Sequence, residues 1–168
     1  MLEIIIKPIG VVRTDVGDEF VKDSLEGVVG RIEIFKEYEG GLEGIEEFSH
    51  IIVLAYLHKV TEEQKKVLKV KHKRLLKLGF SLDELPEVGV FCSDSPHRPV
   101  PIALTIVKLV RREENILHVE GLDLYDGTPI LDIKPYTPER IIKDITLPEW
   151  YVKLKKKVEE KIGRSLPI

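Results

Sequence analysis

A chain of 168 residues, 43% apolar and 33% charged, is long enough to bury one sizeable core and reads as soluble and globular. Its net charge of -3 excludes a general polyanion binder, so any nucleic-acid contact has to come from a local patch. The lone cysteine, Cys92, excludes an internal disulfide, and neither a membrane-spanning apolar run nor a signal peptide is visible, which makes the cytoplasm the expected compartment.

In chain order, Glu3 to Arg13 reads as a strand broken or bulged at Pro8 and Gly10. Thr14 to Gly27 is polar and reads as a long loop, and Gly27 to Lys36 alternates as a second strand. Gly40-Gly41 marks a turn, followed by a short helical turn over Leu42 to Phe48. His50 to Leu57 is nearly all apolar, as expected of a strand buried on both faces or a barrel stave, with His58 and Lys59 at its end.

Thr61 then opens an expected helix. Thr61 with Gln64 forms a capping box, and Glu62 and Glu63 favour the positive end of the helix dipole. Lys65, Lys66, Lys69, Lys71, Lys73, Arg74 and Lys77 follow before Gly79 ends it. This is the strongest positive cluster in the chain, and it reads either as a solvated face or as a phosphate-backbone patch.

The chain is organised around Gly89 to Lys108. Val88, Val90 and Phe91 start a strand that runs into Ser95-Pro96-His97-Arg98-Pro99-Val100-Pro101, where the prolines forbid helix and central strand alike. The stiff loop holds Asp94, Ser95, His97 and Arg98 in place, as a solvated connection or as a site for binding or chemistry. Ile102, Leu104, Ile106 and Leu109 form the next strand. Asn115 to Leu124 is another, with Ile116, His118 and Glu120 on one face and Leu117 and Val119 on the other. Asp126-Gly127 signals a turn, and Ile130 to Tyr136 a further strand. Pro148 opens a last helix at a first-turn position. Its apolar face is Tyr151, Leu154, Val158 and Ile162, and Gly163 closes it.

Strands that follow one another through turns predict a mainly β fold: a single antiparallel, barrel-like domain with helical additions. Residues 1–140 are expected to form the barrel and 141–168 a helical extension packed on it. Chemically, His50, His58, His72, His97 and His118 show no metal-ligand spacing, so no metal site is expected. Ser95, His97 and Asp123 contain the residue types of a hydrolytic triad without its geometry. Asp123 and Asp126, flanking a turn, either cap it or orient a ligand. Asn115 and Gln64 are the only side-chain amides among many Lys and Glu, a bias like that of proteins from hot environments.

Three stretches carry a resemblance: Gly44 to Leu54, Gly89 to Ile102, and Leu122 to Tyr136 with its Asp126-Gly127-Thr128-Pro129-Ile130-Leu131-Asp132-Ile133-Lys134-Pro135-Tyr136. In this order they resemble the TsaA/TrmO-like (YaeB) family over most of Ile6 to Pro138. The resemblance implies a β-barrel methyltransferase that uses S-adenosyl-L-methionine to methylate N6 of the threonylcarbamoyl-modified adenosine 37 of tRNA, without a metal. It implies a homodimer with the cofactor near the subunit interface. The family's cofactor contacts fall here on His58, Lys59, Asp94, Leu104, Leu122, Asp123, Leu124 and Asp126, with the loop at Val21 to Asp23 contributing. Asp126 or His97 is the candidate base for the N6 proton, and the basic stretch Lys65 to Lys77 a tRNA surface.

The chain diverges from the family pattern at Cys92-Ser93-Asp94-Ser95, where the family has Ala-Thr-Arg-Ser, and at Val100, where it has Asn. Arg to Asp reverses a charge and removes a five-donor fork. Two readings follow: a tRNA or related RNA methyltransferase, or a non-catalytic dimeric paralogue that binds S-adenosylmethionine or another small ligand.

Overall fold

The computed structural model describes residues 3–165, which divide into two compact units. One takes in the chain up to Lys59 together with Pro101–Arg140; the other takes in Val60–Val100 and the chain from Ile141. The strands, in chain order, are β1 (Gly10–Arg13), β2 (Val28–Ile34), β3 (His50–Tyr56), β4 (Lys69–Val70), β5 (Val88–Gly89), β6 (Ile102–Glu113), β7 (Ile116–Leu122) and β8 (Pro129–Pro135). The α-helices are α1 (Asp18–Asp23), α2 (Glu62–Lys65) and α3 (Glu149–Ile162).

The first unit is a closed barrel of six strands in the order β1-β2-β7-β6-β3-β8, every pair antiparallel. Closure leaves no unpaired sheet edge. Period-2 patterning sets which side chains point in: Val28, Ile32 and Ile34 from β2, Leu117 and Val119 from β7. β3 is buried at three consecutive positions, Ile51, Ile52 and Val53, as its continuous apolar run requires. Gly27 has φ +75, and a Cβ there would sit 2.4 Å from the carbonyl carbon of Gly121. Glycine is what lets these two backbones cross at the end of β2 and β7.

Of the expected Glu3–Arg13 strand only Gly10–Arg13 pairs; Pro8 has no N–H for the ladder, and Ile4, Ile5 and Ile6 are exposed. The loop expected over Thr14 to Gly27 contains α1.

The second unit is built from smaller parts. The capping box of Thr61 and Gln64 is present, yet its helix ends at Lys65. The expected continuation to Lys77 does not form. Lys65, Lys69, Lys73 and Lys77 would stand four apart on one helical stripe, and like charges at that spacing destabilise a helix. The chain instead forms β4, which pairs with β5 (Lys69 with Gly89, Val70 with Val88), and a 3-10 turn over Lys73–Leu78. The strand expected at Val88 is only two residues long, because Val90–Cys92 turns as 3-10 with the Ser93 hydroxyl donating to the Val90 carbonyl at 3.1 Å. α3 closes at Gly163 (φ 72), with Leu154 and Val158 buried; Pro148 is its N-cap, one residue before the expected place. His72 stacks on Trp150 at 5.8 Å between ring centroids, and its Nε2 is buried with no hydrogen-bond partner.

Charge separates the units. The barrel unit holds 11 Lys and Arg against 19 Asp and Glu, net -8; the second holds 15 against 10, net +5. No helix among the described residues is long and apolar enough to cross a membrane.

Candidate functional site

In the barrel unit, polar groups gather where β1 and β3 end and the β7–β8 turn crosses. The Lys59 ammonium, just past β3, pairs with the Asp18 carboxylate in the first turn of α1. It also lies 5.1 Å from the centroid of the Tyr125 ring. Tyr125 and Asp126 belong to a turn stitched to β1. The Asp126 carboxylate accepts from the Thr14 N–H at 3.0 Å, and the Gly127 N–H donates to Val12 at 3.0 Å. Gly127 supplies the positive φ (75) that this turn demands.

His58 sits half-buried in the same cluster. Burial, and then the neighbouring Lys59 charge, push its pKa below the usual histidine value, while Asp18 and Asp126 pull weakly the other way. The imidazole is therefore neutral near pH 7 and able to accept a proton. A neutral imidazole, an ammonium, an aromatic face and carboxylates at one barrel end make a place for a zwitterionic or cationic ligand.

The sequence-derived candidates divide between the two units. His58, Lys59 and Asp126 come together in this cluster, and Asp123 lies exposed on the same turn. Leu122 (0% exposed) and Leu124 (2%) are core side chains, so a ligand reaches that stretch only through its backbone. Leu104, 64% exposed, stands on the outer face of β6. Val21 of the early loop is buried in α1.

Asp94 and His97 belong to the second unit, both exposed on the proline loop. That loop is locked by its own hydroxyls: the Ser93 hydroxyl accepts from the Ser95 N–H at 3.3 Å, and Ser95 accepts from the His97 N–H at 3.3 Å. The Arg98 guanidinium donates to the Ser93 carbonyl at 3.2 Å. Among the described residues no group of three or more metal-ligating side chains is assembled.

Asp18, Thr14 and Tyr125 escaped the sequence reading. The one available signal was Asp18-Glu19 directly ahead of an apolar Val21, an acidic first turn inside what reads as loop.

A family model described as the tRNA-methyltransferase O N-terminal domain matches residues 22–140. A probable S-adenosyl-L-methionine-binding protein of Pyrococcus abyssi is 35% identical over 163 residues, 95% of this chain and 82% of that one. The tRNA (adenine(37)-N6)-methyltransferase of Mus musculus is 42% identical over 106 residues, 63% of this chain but only 22% of that one. A crystal structure of TrmO from Pseudomonas aeruginosa superposes with a TM-score of 0.63 at 27% identity, covering 86% of this chain and 62% of that one.

Proposed function

The chain belongs to the family of the tRNA-methyltransferase O N-terminal domain, and from that membership we propose that it is an S-adenosyl-L-methionine-dependent methyltransferase acting on N6 of modified adenosine 37 in tRNA. The observation that carries the reading is the family match over residues 22–140, which takes in β3, the His58-Lys59 turn and the Tyr125-Asp126 turn.

The barrel-end cluster fits the cofactor's chemistry. S-adenosylmethionine carries a sulfonium, an ammonium and a carboxylate. The acidic barrel unit with Asp18 and Asp126 suits the two cations, and Lys59 suits the carboxylate. When bound, the cofactor supplies a methyl group already activated by the positive sulfur. What remains for the protein is to position N6 and take its proton. Asp126 and His97 are the proposed bases, and His58, held neutral by burial, joins them. The basic second unit is proposed as the tRNA-backbone surface.

A homodimer is part of the reading. Leu104, Ile106 and Val110 stand exposed in alternation on the outer face of β6 and support it, since a monomer gains nothing from such a row. Light scattering on the purified protein checks it.

Titration calorimetry with S-adenosylmethionine, on the unaltered protein and on Asp94→Arg, is the deciding experiment, followed by methyl transfer to tRNA. Micromolar binding by the unaltered protein is the expected result. Binding seen only after Asp94→Arg would favour the paralogue whose site this acid has switched off. Binding by neither would overturn the cofactor assignment.

A further inference from the structure

Phe91 is among the most exposed apolar side chains of the second unit, 76% accessible. A single exposed phenylalanine means little by itself, but this one is held outward on every side. The residue before it, Val90, is 1% exposed and donates its N–H to Leu68 at 3.0 Å. The Arg98 guanidinium lies 6.0 Å from the ring centroid and is fixed by its bond to the Ser93 carbonyl. Pro96, Pro99 and the two serine hydroxyls stiffen the loop between them.

The ribbon also sets the neighbours of this ring. β4 lies beside β5, with Lys69 opposite Gly89, so the basic segment runs antiparallel to the strand that delivers Phe91. Lys69 and Lys73 are exposed, and Lys73 pairs with no acid among the described residues. The whole unit carries net +5 in a protein of net -3. A rigid, outward aromatic ring flanked by a guanidinium and lysines is the arrangement that holds unpaired bases against a phosphate-tracking surface.

We infer that Phe91, backed by Arg98, is a stacking platform for an unpaired nucleobase of the RNA. This rests on the proposed tRNA methyltransferase and goes further by naming the side chain that selects single-stranded over paired RNA. Lysines alone take either kind of RNA, because phosphates are common to both. The ring takes only a base that is free to stack.

The test is fluorescence anisotropy at fixed salt with two labelled RNAs, an anticodon stem-loop and a fully paired duplex of equal phosphate count. The proteins are the unaltered chain, Phe91→Ala, Phe91→Leu and Phe91→Trp. Stacking predicts that Phe91→Ala and Phe91→Leu both weaken stem-loop binding about tenfold to a hundredfold and duplex binding less than about twofold, while Phe91→Trp keeps stem-loop affinity. An exposed side chain leaves folding intact, which thermal melts of each variant verify. Unchanged stem-loop affinity in Phe91→Ala overturns the inference. So does Phe91→Leu behaving as the unaltered protein, which means plain apolar contact. So does a shift from dimer to monomer in Phe91→Ala without loss of RNA affinity, which assigns the ring to a second copy of the chain. An unaltered protein that binds S-adenosylmethionine but neither RNA defeats the tRNA reading itself, and the platform with it.

Discussion

The two units of this chain are held together by different means and carry opposite charge. The barrel closes its hydrogen-bond ladder and buries Val12, Ile32, Ile51, Val53, Leu117, Val119 and Ile130 to 0% exposure, at net -8. The second unit has one ribbon of two residues per strand, several 3-10 turns and one long helix, at net +5. One region is built for rigidity and for holding a small polar ligand. The other is built from locally capped pieces whose outward faces remain open to a large anionic partner. The difference teaches that stability and macromolecular recognition need not share residues in this fold.

Removing a core side chain tests the barrel half of that contrast most severely. Leu117→Ala is expected to cost about 3 kcal/mol in urea unfolding, the transfer loss plus the cavity left in a ladder that cannot collapse around it. Charge tests the other half. Lys69→Glu with Lys73→Glu is expected to weaken tRNA binding by about tenfold or more and to lower the salt slope by about 2, measured by titrations across ionic strength. Reversing Lys108, a barrel cation paired with Glu120, should leave that slope unchanged; an equal effect would break the comparison. Thr61→Ala removes the capping box of α2 and should cost about 0.5–1 kcal/mol, read as a lower denaturation midpoint.

The smallest effect is a pH dependence confined to the second unit. Burial pushes the pKa of His72 below its usual 6.5, with the Asp94 charge opposing weakly. The unfolded chain therefore takes up a proton before the folded one does. Stability is full above pH 6.5 and falls as the pH drops through 6.5 towards the lower folded value. Trp150, the single tryptophan and the ring stacked on His72, reports it by fluorescence, and His72→Phe should flatten the response.

Much of the barrel is legible in the sequence. The continuous run of β3 and the alternation of β7 specify strands because burial on two faces or on one leaves that signature. The Asp126-Gly127 turn is legible because few residue pairs tolerate its backbone. The basic stretch was misread because a good N-terminal signal, Thr61 with Gln64, says where a helix starts and nothing about how far it propagates. Length is decided by charge spacing along Lys65 to Lys77. The pairing of Lys59 with Asp18 and Tyr125 was not legible at all. Those residues are brought together only when the ladder closes, and no local pattern encodes closure. The separation of Asp94 and His97 from the other candidates into a different compact unit is equally a property of the contacts, not of any motif.

The Leu57 N–H donates to the Pro101 carbonyl at 2.8 Å, next to the pairing of Tyr56 with Ile102. The chain thus leaves the barrel and returns to it at points one hydrogen bond apart. Everything from Val60 to Val100 hangs from that single gate, so its length is free to vary without altering the register of β3 on β6. Such an attachment makes the intervening segment a replaceable cassette. A lineage that needs a new RNA target can rewrite it wholesale, or lose it, while the barrel it is spliced into goes on folding in the same way.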